Sequence, residues 1–175
     1  MRKLWITLPI LFFGYVGNVE ANDDEIHCLA ENIYWEARSE STAGKVAVAL
    51  VVFNRVRDNR FPNTICGVVK QTEYYPSGKI DLHSCQFSWY CDGKPDIPTE
   101  DCWNDIIVLA HILYNWETKE DITEGALWYH SLKVTPYWAT SYVQTLKVDN
   151  HIFYKDAVSY THLRAHETRG NLVCR

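Results

Sequence analysis

Apolar positions recur at helical spacing in three stretches of the chain and at strand spacing in two short stretches near its end. Ile33 and Ala37 stand four apart and share one face of a helix expected over residues 25–38, with Asp24 placed to cap it. Ser39-Glu40-Ser41-Thr42 breaks that pattern. Thr42 suits the cap of a second helix, in which Ala43, Val46, Ala47, Leu50, Val51 and Val56 make an apolar face. Ala47 and Ala49 are small enough to let another element approach. Phe61-Pro62-Asn63-Thr64 reads as a loop, and residues 65–71 as a short helical turn. Residues 72–98 hold Pro76, Pro95, Pro98, Gly78 and Gly93 and form a long irregular region with room for a small hairpin. Tyr74, Tyr75, Phe87, Trp89 and Tyr90 in that region argue against disorder. Each of them is as well suited to closing over a core as to offering a platform for sugar rings. Thr99 is expected to cap a third helix, with Glu100 and Asp101 at the positive end of its dipole. Its buried face would be Trp103, Ile106, Ile107, Ala110, Leu113, Tyr114 and Trp116, with His111 packed rather than ligating. Residues 125–130 read as extended, Pro136-Tyr137-Trp138 as a helical turn, and residues 142–148 and 151–154 as strands joined at Asp149-Asn150. These elements describe a mainly helical α+β single domain.

The two ends of the chain stand apart. Arg2 and Lys3, an apolar run over residues 4–16 and Val19-x-Ala21 have the layout of an export signal over residues 1–21. The apolar run is too short to cross a bilayer comfortably, which disfavours a membrane anchor. Residues 157–175 show neither helical nor strand periodicity and resemble a translated sequencing adapter, so they are set aside as outside the domain. The domain is therefore expected over residues 22–156. Five of the 17 basic and two of the 22 acidic residues fall outside it, leaving 12 against 20, a net charge of about −8. That balance disfavours nucleic acid, which needs clustered Lys and Arg.

Behind an export signal the cysteines point to disulfides. Cys174 lies in the tail, and Cys28, Cys66, Cys85, Cys91 and Cys102 leave room for two bridges and one thiol. Cys85 and Cys91 are placed to staple the five residues between them. There is no CxxC or HExxH spacing, so no metal and no cofactor is expected.

Glu36 carries the candidate chemistry. It falls three after Ile33, leans toward the buried face and sits beside Trp35. Apolar surroundings disfavour a charged carboxylate and raise its pKa, as a general acid near neutral pH requires. The plain alternative is a solvated helix-face carboxylate paired with Arg38.

Several blocks around Glu36 bear on that choice. Tyr34-x-Glu36-Ala37-Arg38-x-Glu40 is followed by Gly44-Lys45-Val46-Ala47-Val48-Ala49, Phe53-Asn54-Arg55-Val56 and Phe61-Pro62-Asn63-Thr64-Ile65-Cys66-Gly67-Val68-Val69. Gln86-Phe87-Ser88-Trp89, Gly125-Ala126-Leu127-Trp128-Tyr129-His130 and Asn150-His151-x-Phe153-Tyr154 come after them. In this order and spacing, over residues 28–154, the chain resembles the SleB/CwlJ-type cell wall hydrolases. The resemblance implies a lysozyme-like, transglycosylase-like fold and cleavage of the MurNAc–GlcNAc bond of peptidoglycan, with Glu36 as a single acid and base. It further implies substrate contacts from Gln86, Phe87, Ser88, Trp89, Tyr129, His130 and His151. The implied partner is the peptidoglycan glycan strand, met by a monomer outside the cytoplasm, with no nucleic acid and no lasting membrane association. For Asn54 and Arg55 the resemblance leaves two roles open, bracing the site and contacting substrate. A hydrolytic muramidase, a non-catalytic wall-binding module and, more remotely, a zinc amidase are the competing readings. Glu40 is too near Glu36 in sequence to reach the far face of a sugar, and is expected to hydrogen-bond after the helix instead. Two positions depart from the family pattern: Trp35 and Ser39 stand where glycine is common.

Overall fold

The computed structural model describes residues 17–82, 84–99, 101–116 and 120–157, with the backbone alone over 17–21. Most of the expected export signal and of the tail, including Cys174, lies outside these residues.

The described residues form four helices and a three-stranded sheet: α1 (Gly17–Ala37), α2 (Thr42–Arg57), α3 (Ile65–Val69), α4 (Trp103–Asn115), β1 (Trp128–Ser131), β2 (Val143–Val148) and β3 (His151–Lys155). Single 3-10 turns cover Ser88–Cys91 and Tyr137–Ser141. Helix α1 starts well before residue 25, because no glycine or proline between Asn18 and Ala37 interrupts it. The cap of α2 is Ser41 rather than Thr42; its hydroxyl accepts from the Gly44 N–H at 3.3 Å. Nor does Thr99 cap α4, whose N-cap position is Cys102. The Thr99 N–H donates instead to the Tyr34 hydroxyl at 3.2 Å.

Helix α2 is the axis of the molecule. The sequence suggests one apolar face, with Ala43 on it. The structure leaves Ala43 exposed and buries every residue from Ala47 to Phe53. A helix apolar all round belongs inside. Ala49, Leu50, Val52 and Phe53 pack with Leu29, Ile33, Tyr34, Val68, Ile106 and Leu113 of the other helices. Ala47, Val48 and Val51 pack the other way, against Ala37, Ala126 and Phe153. Helix α4 buries Ile106, Ala110 and Leu113 and leaves Val108, Ile112 and His111 exposed, so His111 is not a packed histidine.

The sheet has the order β1-β3-β2, with both pairs antiparallel. Tyr129 lies opposite Phe153 and Ser131 opposite His151, so these four share the face turned to the helices. Trp128, His130, Ile152 and Tyr154 share the other face. Two carboxylates fasten the β2–β3 turn to the α1–α2 junction. Asp149, at φ 47°, accepts from the Ser41 N–H (2.9 Å) and hydroxyl (2.6 Å). Glu40 accepts from the Asn150 side-chain amide at 3.1 Å.

Two disulfides form among the described residues, Cys85–Cys91 as expected and Cys28–Cys66 as a pairing that the sequence left open. Cys28–Cys66 ties α1 to α3, and Cys85–Cys91 closes the loop between them, while Cys102 keeps its thiol. Part of the long region forms the small hairpin, with a bridge between Tyr74 and Ile80.

Candidate active site

Glu36 occupies the last turn of α1, where the helix meets both α2 and the sheet. Three elements converge on it and leave a cleft of about 210 Å³ lined by Glu36, Arg55, Cys85, Gln86, Phe87, Ser88 and Tyr129. Among the described residues lining that cleft, Glu36 is the one carboxylate.

The Tyr129 hydroxyl donates to Glu36 Oε2 at 3.0 Å. Burial raises the Glu36 pKa above its ordinary value; the Tyr129 hydrogen bond and the Arg55 charge oppose this without cancelling it. Burial, and then the neighbouring Glu36 charge, pushes the Tyr129 phenol well up, so it keeps its proton and donates.

Arg55 enters from α2. It is 5% exposed, and its Nε donates to the Leu127 carbonyl at 2.8 Å, just ahead of β1. Its guanidinium carbon lies 5.2 Å from the Phe61 ring centroid and 5.4 Å from that of Phe87. Its Nη1 is buried with no hydrogen-bond partner among the described residues. Burial lowers its pKa, but an arginine stays charged, so a cation faces the catalytic candidate. Asn54 beside it donates to Asp121 Oδ2 (2.9 Å) and the Ala126 carbonyl (3.1 Å), which fixes the approach to β1.

The sequence-predicted residues divide into three groups. Glu36, Gln86, Phe87, Ser88 and Tyr129 meet at the cleft, although Phe87 is buried and contributes an edge of the core. His151 is close behind: its ring stands edge-on to Tyr129 at 5.3 Å, and burial lowers its pKa, so it is a neutral support there. Trp89 and His130 are turned elsewhere. Trp89 is buried and donates from Nε1 to Asn32 Oδ1 at 3.4 Å. His130 is on the other face of the sheet, stacked on Tyr154 and bonded through Nε2 to its hydroxyl at 3.0 Å. Its odd-even register opposite to Tyr129 dictates this separation. Arg55, named from the sequence for bracing or substrate contact but not as a residue facing Glu36, lines the cleft itself. A signal existed: it falls four after Val51 and seven after Val48, on their buried stripe.

The Cell Wall Hydrolase family profile matches residues 39–154, beginning three residues after Glu36. The spore cortex-lytic enzyme of Bacillus cereus is 29% identical over 135 residues, covering 77% of this chain and 45% of that protein. The spore cortex-lytic enzyme of Bacillus subtilis is 25% identical over 132 residues, covering 75% and 38%. The chain thus spans under half the length of these curated relatives. Among solved structures, the catalytic domain of the germination-specific lytic transglycosylase SleB from Bacillus anthracis superposes with a TM-score of 0.55 at 30% identity, covering 77% of this chain and 94% of that one. The catalytic domain of Bacillus cereus SleB gives 0.52 at 31% identity, covering 77% and 90%. The mainly helical α+β, lysozyme-like and transglycosylase-like domain expected from the sequence is therefore the fold observed, and the chain belongs to the cell wall hydrolase family.

Proposed function

We propose that this chain cleaves the MurNAc–GlcNAc bond of peptidoglycan glycan strands as a lytic transglycosylase, with Glu36 as its single acid and base. The observation that carries the reading is one pKa-raised carboxyl group standing alone in a cleft. Glycosidases that use water bring two carboxyl groups, about 5 to 9.5 Å apart across the bond. Of the other carboxylates, Glu40 is bonded to Asn150 and Asp92 to Lys94, and Asp92 and Asp96 line a separate cleft rather than the one that holds Glu36. The solved relative described as a lytic transglycosylase supports the same class.

Protonated Glu36 gives its proton to the bridging oxygen as the bond to C1 of MurNAc breaks. The MurNAc 6-hydroxyl then attacks C1, and its proton goes to the Glu36 carboxylate. The products are a free GlcNAc 4-hydroxyl and a 1,6-anhydro-MurNAc end, with no water consumed. Tyr129 orients the carboxyl through both steps. Arg55 favours the carboxylate that exists between them. Gln86 and Ser88 offer amide and hydroxyl groups to sugar substituents.

The reading includes its setting. Residues 1–21 export the chain, residues 22–156 act as a monomeric catalytic domain, and two disulfides suit an oxidising compartment outside the cytoplasm. Product analysis tests the chemistry. Purified protein and its Glu36→Gln variant are incubated with peptidoglycan, and the fragments are weighed by mass spectrometry. Ends lighter by one water, missing with the variant, are expected. Hydrated reducing ends would mean a muramidase instead, and binding without products would mean a wall-binding module.

A further inference from the structure

The elements that build the Glu36 cleft also build a larger one beside it. Trp35 precedes Glu36 on α1, and Trp89 follows Ser88 in its 3-10 turn. Glu36 and Ser88 line the first cleft; Trp35 and Trp89 line the second. The second holds about 450 Å³. Sites for small molecules run to about 300–1,000 Å³, so the Glu36 cleft alone falls short of that range and this one falls within it.

Two indoles form its base. The Trp35 and Trp89 rings stack with centroids 6.3 Å apart and 23° between planes. Tyr34 stands edge-on to Trp35 at 4.9 Å, and Trp89 is held by its bond to Asn32. Trp35 Nε1 is buried with no partner among the described residues. Asp92, Lys94, Asp96 and the exposed Ile97 form the wall. That wall is fastened at both ends, by the Cys85–Cys91 disulfide and by the Thr99 N–H on the Tyr34 hydroxyl.

A pyranose has an apolar C–H face and a rim of hydroxyls. Flat indoles cover the first, and carboxylates accept from the second. Lys94 is already paired with Asp92 at 3.0 Å, which leaves the wall acidic and favours a neutral sugar over an anionic one. We propose that the Trp35–Trp89 cleft is a second saccharide subsite that holds a neutral N-acetylhexosamine of the strand cut at Glu36. The proposal rests on the glycan-cleaving reading above. It takes the same strand as occupant because consecutive residues line the two clefts, so a strand leaving one runs past the other. It also assigns a role to Trp35, at a position where the family commonly has glycine.

The test uses the full chain carrying Glu36→Gln, so that binding is read without cleavage. Chitotetraose and chitobiose, the tetramer and dimer of N-acetylglucosamine, are titrated while the indole N–H resonances are followed by NMR. Chitotetraose is expected to shift the Trp35 and Trp89 signals. Adding Trp35→Ala is expected to weaken its Kd about tenfold, a 1.4 kcal/mol change, and that of chitobiose less than about twofold. Trp35→Phe should restore most of the loss. Asp96→Asn, on the wall rather than in the base, should weaken chitotetraose by about threefold without lowering the melting temperature. Shifts at Trp128 and Trp138 in place of Trp35 and Trp89, an unchanged chitotetraose Kd in Trp35→Ala, or no binding would each overturn the subsite. Peptidoglycan cleavage by the wild-type chain is measured alongside. Absent cleavage with chitotetraose still on Trp35 and Trp89 would sink the catalytic reading and support the subsite.

Discussion

Burial raises the Glu36 pKa above that of a solvated glutamate, and this has opposite consequences for rate and for stability. The proposed general acid works only while protonated, so kcat/KM should fall as pH rises through its raised pKa. For stability the sign follows from linkage. The unfolded chain has the ordinary glutamate pKa and the folded chain a higher one, so the folded state binds more protons between them. Glu36 therefore costs nothing at a pH below the ordinary value and destabilises the fold as pH rises through the raised one. Glu36→Gln should lower activity by at least about 10²–10⁴-fold. It should also melt above the wild type at neutral pH, by a margin that vanishes in acid; thermal melts across pH would detect an absent or constant margin. Tyr129→Phe removes the hydrogen bond that favours the charged form. Its basic limb in the pH–rate profile should move to higher pH, and a limb that stays or moves down would deny Tyr129 this role. Glu36 was legible in the sequence through the family blocks around it, since its apolar neighbours alone left a solvated helix-face carboxylate the stronger reading. Tyr129 and His130 were not separable there, because one residue of register decides which face of a strand each takes.

At the scale of elements, the site depends on how firmly the sheet is held to the end of α1. The contact is the Ser41–Asp149 and Glu40–Asn150 clamp, and Gly44 is what allows it to close. A Cβ on Gly44 would stand 2.5 Å from Asp149 Oδ2 and 2.9 Å from Glu40 Cβ. Asp149 cannot simply swing away, since two Ser41 hydrogen bonds hold it, and Glu40 Cβ is not the end of a flexible chain. Gly44→Ala should therefore destabilise by about 1–3 kcal/mol in urea titrations, although alanine is the better helix former. Neutral or stabilising behaviour would mean that the junction has slack. Asn54→Ala removes the bonds to Asp121 and the Ala126 carbonyl and should cost about 1–3 kcal/mol in the same measurement. The helices, the two late strands and the turn at Asp149 were readable from spacing alone. The depth of α2 was less so: an apolar run from Val46 to Phe53 with one small-residue side looks like a face until a layer is known on each side of it. The missed caps are of another kind. Ser41 and Thr42 are both capping residues, and Ser41 is the one also held by Asp149, 108 residues away.

Across the whole molecule, two disulfides do different work. The sequence allowed two bridges among five cysteines but not their partners beyond Cys85 and Cys91, because α1 and α3 meet only in the folded chain. Cys28–Cys66 spans 38 residues and Cys85–Cys91 spans 6. By chain entropy, the long bridge should contribute about 4 kcal/mol and the short one about 2 kcal/mol. Their places invert that order for function. Cys28 and Cys66 join helices in the core, away from the residues that line the Glu36 cleft. Cys85 lines the cleft itself, and its bridge closes the loop that carries Gln86 and Ser88 past Glu36 and Trp89 beneath Trp35. Replacing both cysteines of the long bridge by serine should therefore lower unfolding free energy by about 4 kcal/mol while the remaining folded protein keeps nearly wild-type kcat/KM. The same replacement at Cys85 and Cys91 should cost about half as much stability and yet raise KM for peptidoglycan, because ordering a freed loop is then charged against binding. Denaturant titration and steady-state kinetics on the two double variants read both quantities. If activity simply followed stability in both, the loop would be a passive wall and the cleft would owe its shape to the helices and sheet alone.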